Sequence, residues 1–128
     1  KVIAGKFENA EGPEKNHNVN PVYFHVVLEE GKEFRCDVPS EHNSFVYLLA
    51  GDLSVGENKH DKTSNSTLIL LDRGDKLIVK ANRKSEFLFI AGKPIGEPIA
   101  RGGPFVMNTK AEILQAVQDY HNGTFAKY

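Results

Sequence analysis

At 128 residues the chain suits one domain with one sizeable core, and its 40% hydrophobic content is globular rather than disordered. Sixteen basic against 17 acidic residues leave a formal charge of -1, which gives no electrostatic case for nucleic acid or an anionic membrane as a direct partner. No apolar run approaches the ~20 residues of a bilayer span. The opening Lys1-Val2-Ile3-Ala4-Gly5 has neither the long apolar core nor the cleavage site of a signal peptide. Glu8 to Asn20, with Gly12, Pro13 and four asparagines, is expected to be a loop.

Strands follow. Val22, Phe24, Val26 and Leu28 alternate with Tyr23, His25 and Val27, so both faces of this strand are largely apolar. After the turn at Glu29-Glu30-Gly31-Lys32, Phe34, Cys36 and Val38 alternate with Glu33, Arg35 and Asp37, the period of a half-buried strand. Phe45 to Leu49 is an apolar strand closed by Gly51-Asp52, and Leu53 and Val55 carry the alternation to Gly56. A charged loop is expected over Glu57 to Asn65. Leu68 to Leu71 forms a strand, and Asp72-Arg73-Gly74-Asp75 a tight turn that draws on the backbone freedom of Gly74. Leu77, Val79 and Ala81 alternate with Lys76, Ile78 and Lys80, and Phe87 to Ala91 is the last long apolar strand. Short strands at this spacing, joined by glycine turns, predict an all-β closed barrel or sandwich. The segment from Gly92 to Met107, rich in Gly and Pro, has little capacity for a strand ladder. One helix ends the chain, over about 109–122: Thr109 and Glu112 form a capping box, Ile113, Ala116, Val117 and Tyr120 share a face, and Asn122-Gly123 is the stop.

The glycine spacing supplies a chemical frame. Gly31, Asp37, Pro39, Ser44 and Gly51 fall at the intervals of the first cupin motif, and a second frame from Gly74 puts its ligand position at Ser85. The cupin fold is a double-stranded β-helix, or jelly-roll, barrel. In a metal-binding cupin the four positions hold His, His, Glu and His. Here they read Asp37, Pro39, Ser44 and Ser85. Iron, zinc and copper take imidazole, carboxylate or thiolate ligands. Proline offers nothing, serine is a poor neutral ligand, and Asp37 alone is not a site; the expectation is a barrel without its own cofactor.

Beside that frame, His42 and Asn43 could stand at the barrel mouth, with His42 as a substitute ligand or proton shuttle; the plainer reading makes His42 a solvated turn histidine. His25 sits in a strand as a satisfied side chain, while His17, His60 and His121 are scattered over polar loops and a helix end. Cys36, the single cysteine, allows no internal disulfide and reads as a small buried hydrophobe of a protein kept in a reducing, intracellular compartment. The Arg73-Gly74-Asp75 triplet and the glycosylation-like Asn65-Ser66-Thr67 and Asn122-Gly123-Thr124 read as chance. Phe34, Phe45, Tyr47 and Phe87 read as core, the alternative being the lining of an interior pocket for a flat aromatic ligand in a binding or oxygenase domain.

Two stretches are more specific. Gly92-Lys93-Pro94-Ile95-Gly96-Glu97-Pro98-Ile99 and Gly102-Gly103-Pro104-Phe105-Val106-Met107-Asn108-Thr109, taken with Glu41-His42-Asn43-Ser44-Phe45-Val46-Tyr47 and the helix, resemble the C-terminal half of pirin-type proteins. The resemblance covers nearly the whole chain. It implies one cupin domain over residues 1–128 that is half of a bicupin, two stacked barrels in one polypeptide. It implies a parent whose iron is held by three histidines and a glutamate of the N-terminal barrel, none of which has a counterpart here. Quercetin 2,3-dioxygenase activity and transcriptional co-regulation are linked to that family, as is a cytoplasmic, or in eukaryotes nuclear and cytoplasmic, location. The partner it implies is the N-terminal cupin domain, with further protein partners open. The segment carrying Glu97, Arg101, Phe105 and Asn108, with the helix, is the expected contact to that domain; the alternative is that it only packs helix and barrel together.

Overall fold

The computed structural model describes residues 1–14, 18–56 and 65–126. The chain divides into two compact units, residues 1–94 and 95–128. Most of the loop expected over Glu57 to Asn65, with His60, and also His17, lie outside the described residues.

The first unit holds β1 (Val2–Ala4), β2 (Lys6–Phe7), β3 (Ala10–Glu11), β4 (Val22–Leu28), β5 (Glu33–Asp37), β6 (Asn43–Val55), β7 (Thr67–Leu71) and β8 (Lys76–Gly92). Strands β2 and β3 pair as a small hairpin, and β3 falls inside the stretch expected to be loop. Six strands are joined in the order β1-β4-β8-β6-β7, with β5 also on β8. The pairs expected as separate strands, Leu77–Ala81 with Phe87–Ala91 and Phe45–Leu49 with Leu53–Val55, are instead the two halves of single long strands, β8 and β6. Each long strand serves two layers. One half of β8 pairs with β4 and β6 over residues 85–92; the other pairs with β5 and the end of β6 over 76–83. Between the halves the β6–β8 register slips at Leu48/Ala50, Ala50/Asp52 and Asp52/Leu53, the bulged corner by which a strand passes from one sheet to another.

The two layers enclose the core. Phe24, Val46, Leu48, Phe87 and Phe89 from one meet Phe34, Cys36, Leu53, Leu77, Val79 and Ala81 from the other, all buried. Phe34 and Phe87 touch across the interior edge to face at 5.9 Å, and Phe7 of β2 stacks on Phe34 at 5.2 Å. Each such burial contributes roughly 1.5–3 kcal/mol.

The second unit is a hairpin, β9 (Ala100–Gly102) and β10 (Phe105–Met107), followed by α1 (Lys110–His121). The stretch expected to lack ladder capacity therefore pairs within itself. The capping box forms as the sequence predicts: Glu112 N–H donates to the Thr109 hydroxyl at 3.2 Å, and Thr109 N–H to the Glu112 carboxylate at 2.7 Å. At the other end Gly123 takes φ 70°, and the N–H groups of Gly123 and Thr124 return to the carbonyls of Tyr120 and Asp119, a Schellman closure. Of the predicted helix face, Ala116 is buried while Tyr120 is 65% exposed. Gly102 is required by packing: a Cβ there would lie 2.4 Å from Ile113 Cγ2.

Candidate functional site

The ligand-frame positions that lie on strands stand in different pairings. Asp37 stands opposite Lys76, Ser44 opposite Ala91 and Ser85 opposite Leu28. Measured along β8, residues 85 and 91 are six apart, roughly 20 Å at the rise of a strand. Asp37 and Pro39 are exposed, Ser44 is half-buried and Ser85 is buried. Among the described residues no three His, Cys, Asp or Glu side chains gather as a metal ion would need.

Ser85 has another task. It sits at the corner where β8 bends, against Gly51 of β6, whose φ is 111°. A Cβ on Gly51 would lie 2.1 Å from Ser85 Oγ and 2.5 Å from Ser85 Cα. The Ser85 hydroxyl accepts from Asp52 N–H at 3.0 Å and donates to the Arg83 carbonyl at 2.7 Å, with the Asp52 carbonyl at 3.1 Å as a second acceptor. Around it Asn82 donates to Asp52 Oδ1 and Ser54 Oγ, both at 3.0 Å, Arg83 donates to the Gly51 carbonyl at 3.2 Å, and Gly51 N–H donates to Asn65 Oδ1 at 2.8 Å. The ladder broken at the bulge is thus re-satisfied by short side chains, as buried backbone polar groups require. The polar run Asn82-Arg83-Lys84-Ser85, which in sequence looks like a gap between two strands, marks this corner. Gly74, by contrast, is not at positive φ and has open space around it, so the 72–75 turn does not draw on its glycine as expected.

His42 is not the solvated turn residue of the plainer reading. It is 6% exposed, its N–H donates to the Pro39 carbonyl at 2.9 Å, and its Nδ1 is buried without a hydrogen-bond partner. Its ring lines a cleft of about 340 Å³ with Lys6, Glu11, Glu14, Asn20 and Glu41 among its neighbours; Asn43, next to it, is exposed. His25 Nε2 pairs with Glu86 Oε1 at 2.6 Å, the satisfied strand histidine that the alternation predicts. Burial, and secondarily the charge of Asp37, raise the Cys36 thiol to about 11, far from a nucleophile's value.

The four aromatic residues considered for an interior pocket divide between two faces. Phe34 and Phe87 lie in the core, whereas the register puts Phe45 and Tyr47 on the opposite side of the sheet from buried Val46 and Leu48. That outer side carries two rungs across four strands: Tyr23, Ile90, Phe45 and Leu70, then His25, Leu88, Tyr47 and Leu68. Seven of these eight are apolar or aromatic, and Leu68 and Leu70 are 54% and 76% exposed. The sequence signals this in Val22–Leu28, where both faces read as apolar, and in the unbroken apolar runs Phe45–Leu49, Leu68–Leu71 and Phe87–Ala91, but not which of these strands pair.

In the second unit, Asn108 Nδ2 donates to Glu97 Oε2 at 2.6 Å, and Phe105 lies against Tyr120 at 6.0 Å and Phe125 at 5.0 Å. Arg101 is exposed on β9, opposite Val106. Phe105, Met107, Val117, Tyr120 and Phe125 line an apolar groove that the sequence did not reveal, since it needs the hairpin to bring Phe105 to the helix.

Residues 23–126 match the family model of the pirin C-terminal cupin domain. A Pseudomonas aeruginosa protein whose name assigns it provisionally as a quercetin 2,3-dioxygenase is 38% identical over 128 residues, covering 99% of this chain and 43% of that protein. Human pirin is 36% identical over 104 residues, 79% of this chain and 36% of pirin. Among solved structures, a quercetin 2,3-dioxygenase from Acinetobacter baumannii superposes with a TM-score of 0.84 at 33% identity, over 98% of this chain and 43% of that one. The chain spans less than half the length of these relatives. Its mostly-β architecture with one C-terminal helix is the cupin fold that the glycine frame predicts, and no helix among the described residues is long and apolar enough to cross a membrane. By this match and these relatives the chain belongs to the pirin family, as its C-terminal cupin domain.

Proposed function

We propose that this domain is the non-catalytic half of a two-barrel protein, a cupin that binds no metal of its own and works by binding a catalytic partner barrel. The observation that carries the reading is Ser85: the slot for the second-motif ligand is occupied by a buried hydroxyl committed to the corner, and the other slots lie apart from it. On this reading the iron belongs to the N-terminal barrel of the parent, and any oxygenation of a flavonol such as quercetin takes place there. The location is intracellular, cytoplasmic or also nuclear, and a co-regulatory role would run through protein contacts rather than direct contact with nucleic acid, in keeping with a charge of -1. The groove beside Phe105 and the ridge bearing Glu97, Arg101 and Asn108 form one contact to the catalytic half; Val106 at 61% and Tyr120 at 65% exposure are the apolar area it would cover.

The test is metal analysis and flavonol turnover on the purified chain beside the full-length parent. The chain is expected to hold no stoichiometric iron, copper, nickel or zinc and to leave quercetin unchanged, while the parent binds one metal. A stoichiometric metal or turnover in the chain alone overturns the proposal.

A further inference from the structure

The cleft beside His42 joins three stretches of the first unit that are far apart in sequence. They are Gly5 and Lys6 with the return of the β2–β3 hairpin, the approach to β4 at Asn20–Val22, and the turn from Pro39 to His42. Backbone contacts fix the first and last of these walls. Gly12 N–H donates to the Gly5 carbonyl at 2.9 Å, Glu14 N–H donates to the Ile3 carbonyl at 3.3 Å, and Glu14 bridges Ala4 of β1. Gly12 lies so close to β1 that a Cβ there would stand 2.4 Å from the Ile3 carbonyl oxygen, while His42 N–H closes its own turn on Pro39. At about 340 Å³ the cleft falls in the ~300–1,000 Å³ range of small-ligand sites.

Its lining is a set of acceptors. Glu11, Glu14 and Glu41 bring three carboxylates against one ammonium, that of Lys6, which stands 3.9 Å from Glu11; counting His42 as neutral, the formal charge is -2. His42 itself is more than nine-tenths buried, its Nδ1 has no partner, and nothing among the described residues hydrogen-bonds to its ring. Buried ring nitrogens are nearly always paired, because an unpaired one gives up its hydration for nothing. His25 shows the ordinary solution in the same chain, with Nε2 on Glu86 at 2.6 Å. A free imidazole in a wall of carboxylates therefore points to a donor that comes from outside the chain. A metal ion is a poor match, since it needs donor side chains converging on one point, and no group of three does so among the described residues. Acceptors spread around a cleft suit a cation that carries several N–H donors in different directions.

We propose that this cleft binds a small organic cation of guanidinium or primary-amine type, whose N–H groups donate to the His42 imidazole and to the Glu41 carboxylate. The site is separate from the reading of the domain as a non-catalytic half and stands or falls without it.

The experiment is a titration of the purified 128-residue chain with agmatine, which carries both groups, followed by calorimetry and by the histidine ring nitrogen signals in NMR. Saturable binding is expected, with a Kd on the order of 1 mM or tighter for a ligand of this size in an open cleft, and with the His42 ring signals moving while those of His25 stay in place. Methylguanidine and butylamine tell which of the two groups is taken, and binding of either supports the proposal. Tetramethylammonium, a cation without N–H donors, should leave His42 unmoved. Glu41 is exposed, so Glu41→Gln should keep the fold and weaken agmatine by about three- to tenfold. No saturable response up to about 10 mM agmatine overturns the proposal at the weak end of small-ligand affinities. An equal response to tetramethylammonium overturns it as well, since charge alone would then suffice. Unchanged affinity in Glu41→Gln with unmoved His42 signals places the ligand elsewhere, and saturation by zinc but not by agmatine makes the cleft a metal site; either result sinks the assignment.

Discussion

Replacing Gly51 with alanine tests the corner that holds the two layers together. Two costs add. A φ of 111° is strained for an L residue, on the order of 1–2 kcal/mol. The new Cβ would also stand 2.1 Å from Ser85 Oγ and 2.5 Å from Ser85 Cα, so β6 and β8 must move apart at their bulge, an overpacking cost of about 1–3 kcal/mol. The sum, about 2–5 kcal/mol, is a large fraction of the ~5–15 kcal/mol that stabilises a domain, and at about 3–5 °C per kcal/mol it lowers the melting temperature by roughly 6–25 °C. Thermal unfolding by circular dichroism reads it directly. Gly31→Ala is the control: its φ of 74° carries comparable strain, but nothing lies within 4 Å of the new Cβ. Because the nearest backbone atom is Ser85 Cα, adding Ser85→Gly to Gly51→Ala should recover only part of the loss. The reasoning is refuted if Gly51→Ala and Gly31→Ala melt together.

Ser85→His restores the residue type expected of a metal cupin, yet the buried site against Gly51 has no room for an imidazole; the variant should be destabilised and hold no metal by elemental analysis. Cys36 should resist thiol reagents in the native chain and react at full rate once unfolded. With its folded value raised to about 11 from 9.0, the unfolded state alone ionises between those values, so the Cys36 contribution to stability should be constant below pH 9 and fall from there towards pH 11, measurable as a decline in the denaturation midpoint that Cys36→Ala removes. Thr109→Ala should cost about 1 kcal/mol at the helix start, seen as faster amide exchange in its first turn. Hydrogen bonds from the Thr109 hydroxyl and N–H, and from Asn108 N–H, hold the Glu112 carboxyl below its usual range. That support is present above the ordinary carboxylate value and lost as pH falls through the lowered one, so the same amides should loosen in acid.

How far the sequence could be read depended on whether the signal was local. Period-2 alternation over Val22–Leu28 and Glu33–Asp37 and the Thr109–Glu112 spacing are written in consecutive residues, and the elements stand where they predict. The union of 77–81 with 87–91 was hidden because Asn82, Arg83 and Lys84 break the apolar pattern at a bend, where their side chains are exposed without the strand ending. The burial of His42 is hidden for a related reason: its neighbours Glu41 and Asn43 are exposed, but its cleft is walled by Gly5, Asn20, Pro21 and Val22, distant in sequence. The outer apolar face required the register of four strands at once. Glycine spacing revealed the family frame, but the convergence of the slots depends on how β6 and β8 bend.

That bend ties the fold to the proposed loss of chemistry. Position 85 can serve the corner or a metal, but not both. As a corner residue it must be small enough to lie against Gly51, and must both donate and accept to repair the ladder at Asp52 and Arg83, which a hydroxyl does and an imidazole at that distance cannot. Ligands substituted into positions 37, 39, 44 and 85 would stand on β5, in the turn after it, at the start of β6 and at the bend of β8, and the last would displace the hydroxyl that serves the corner.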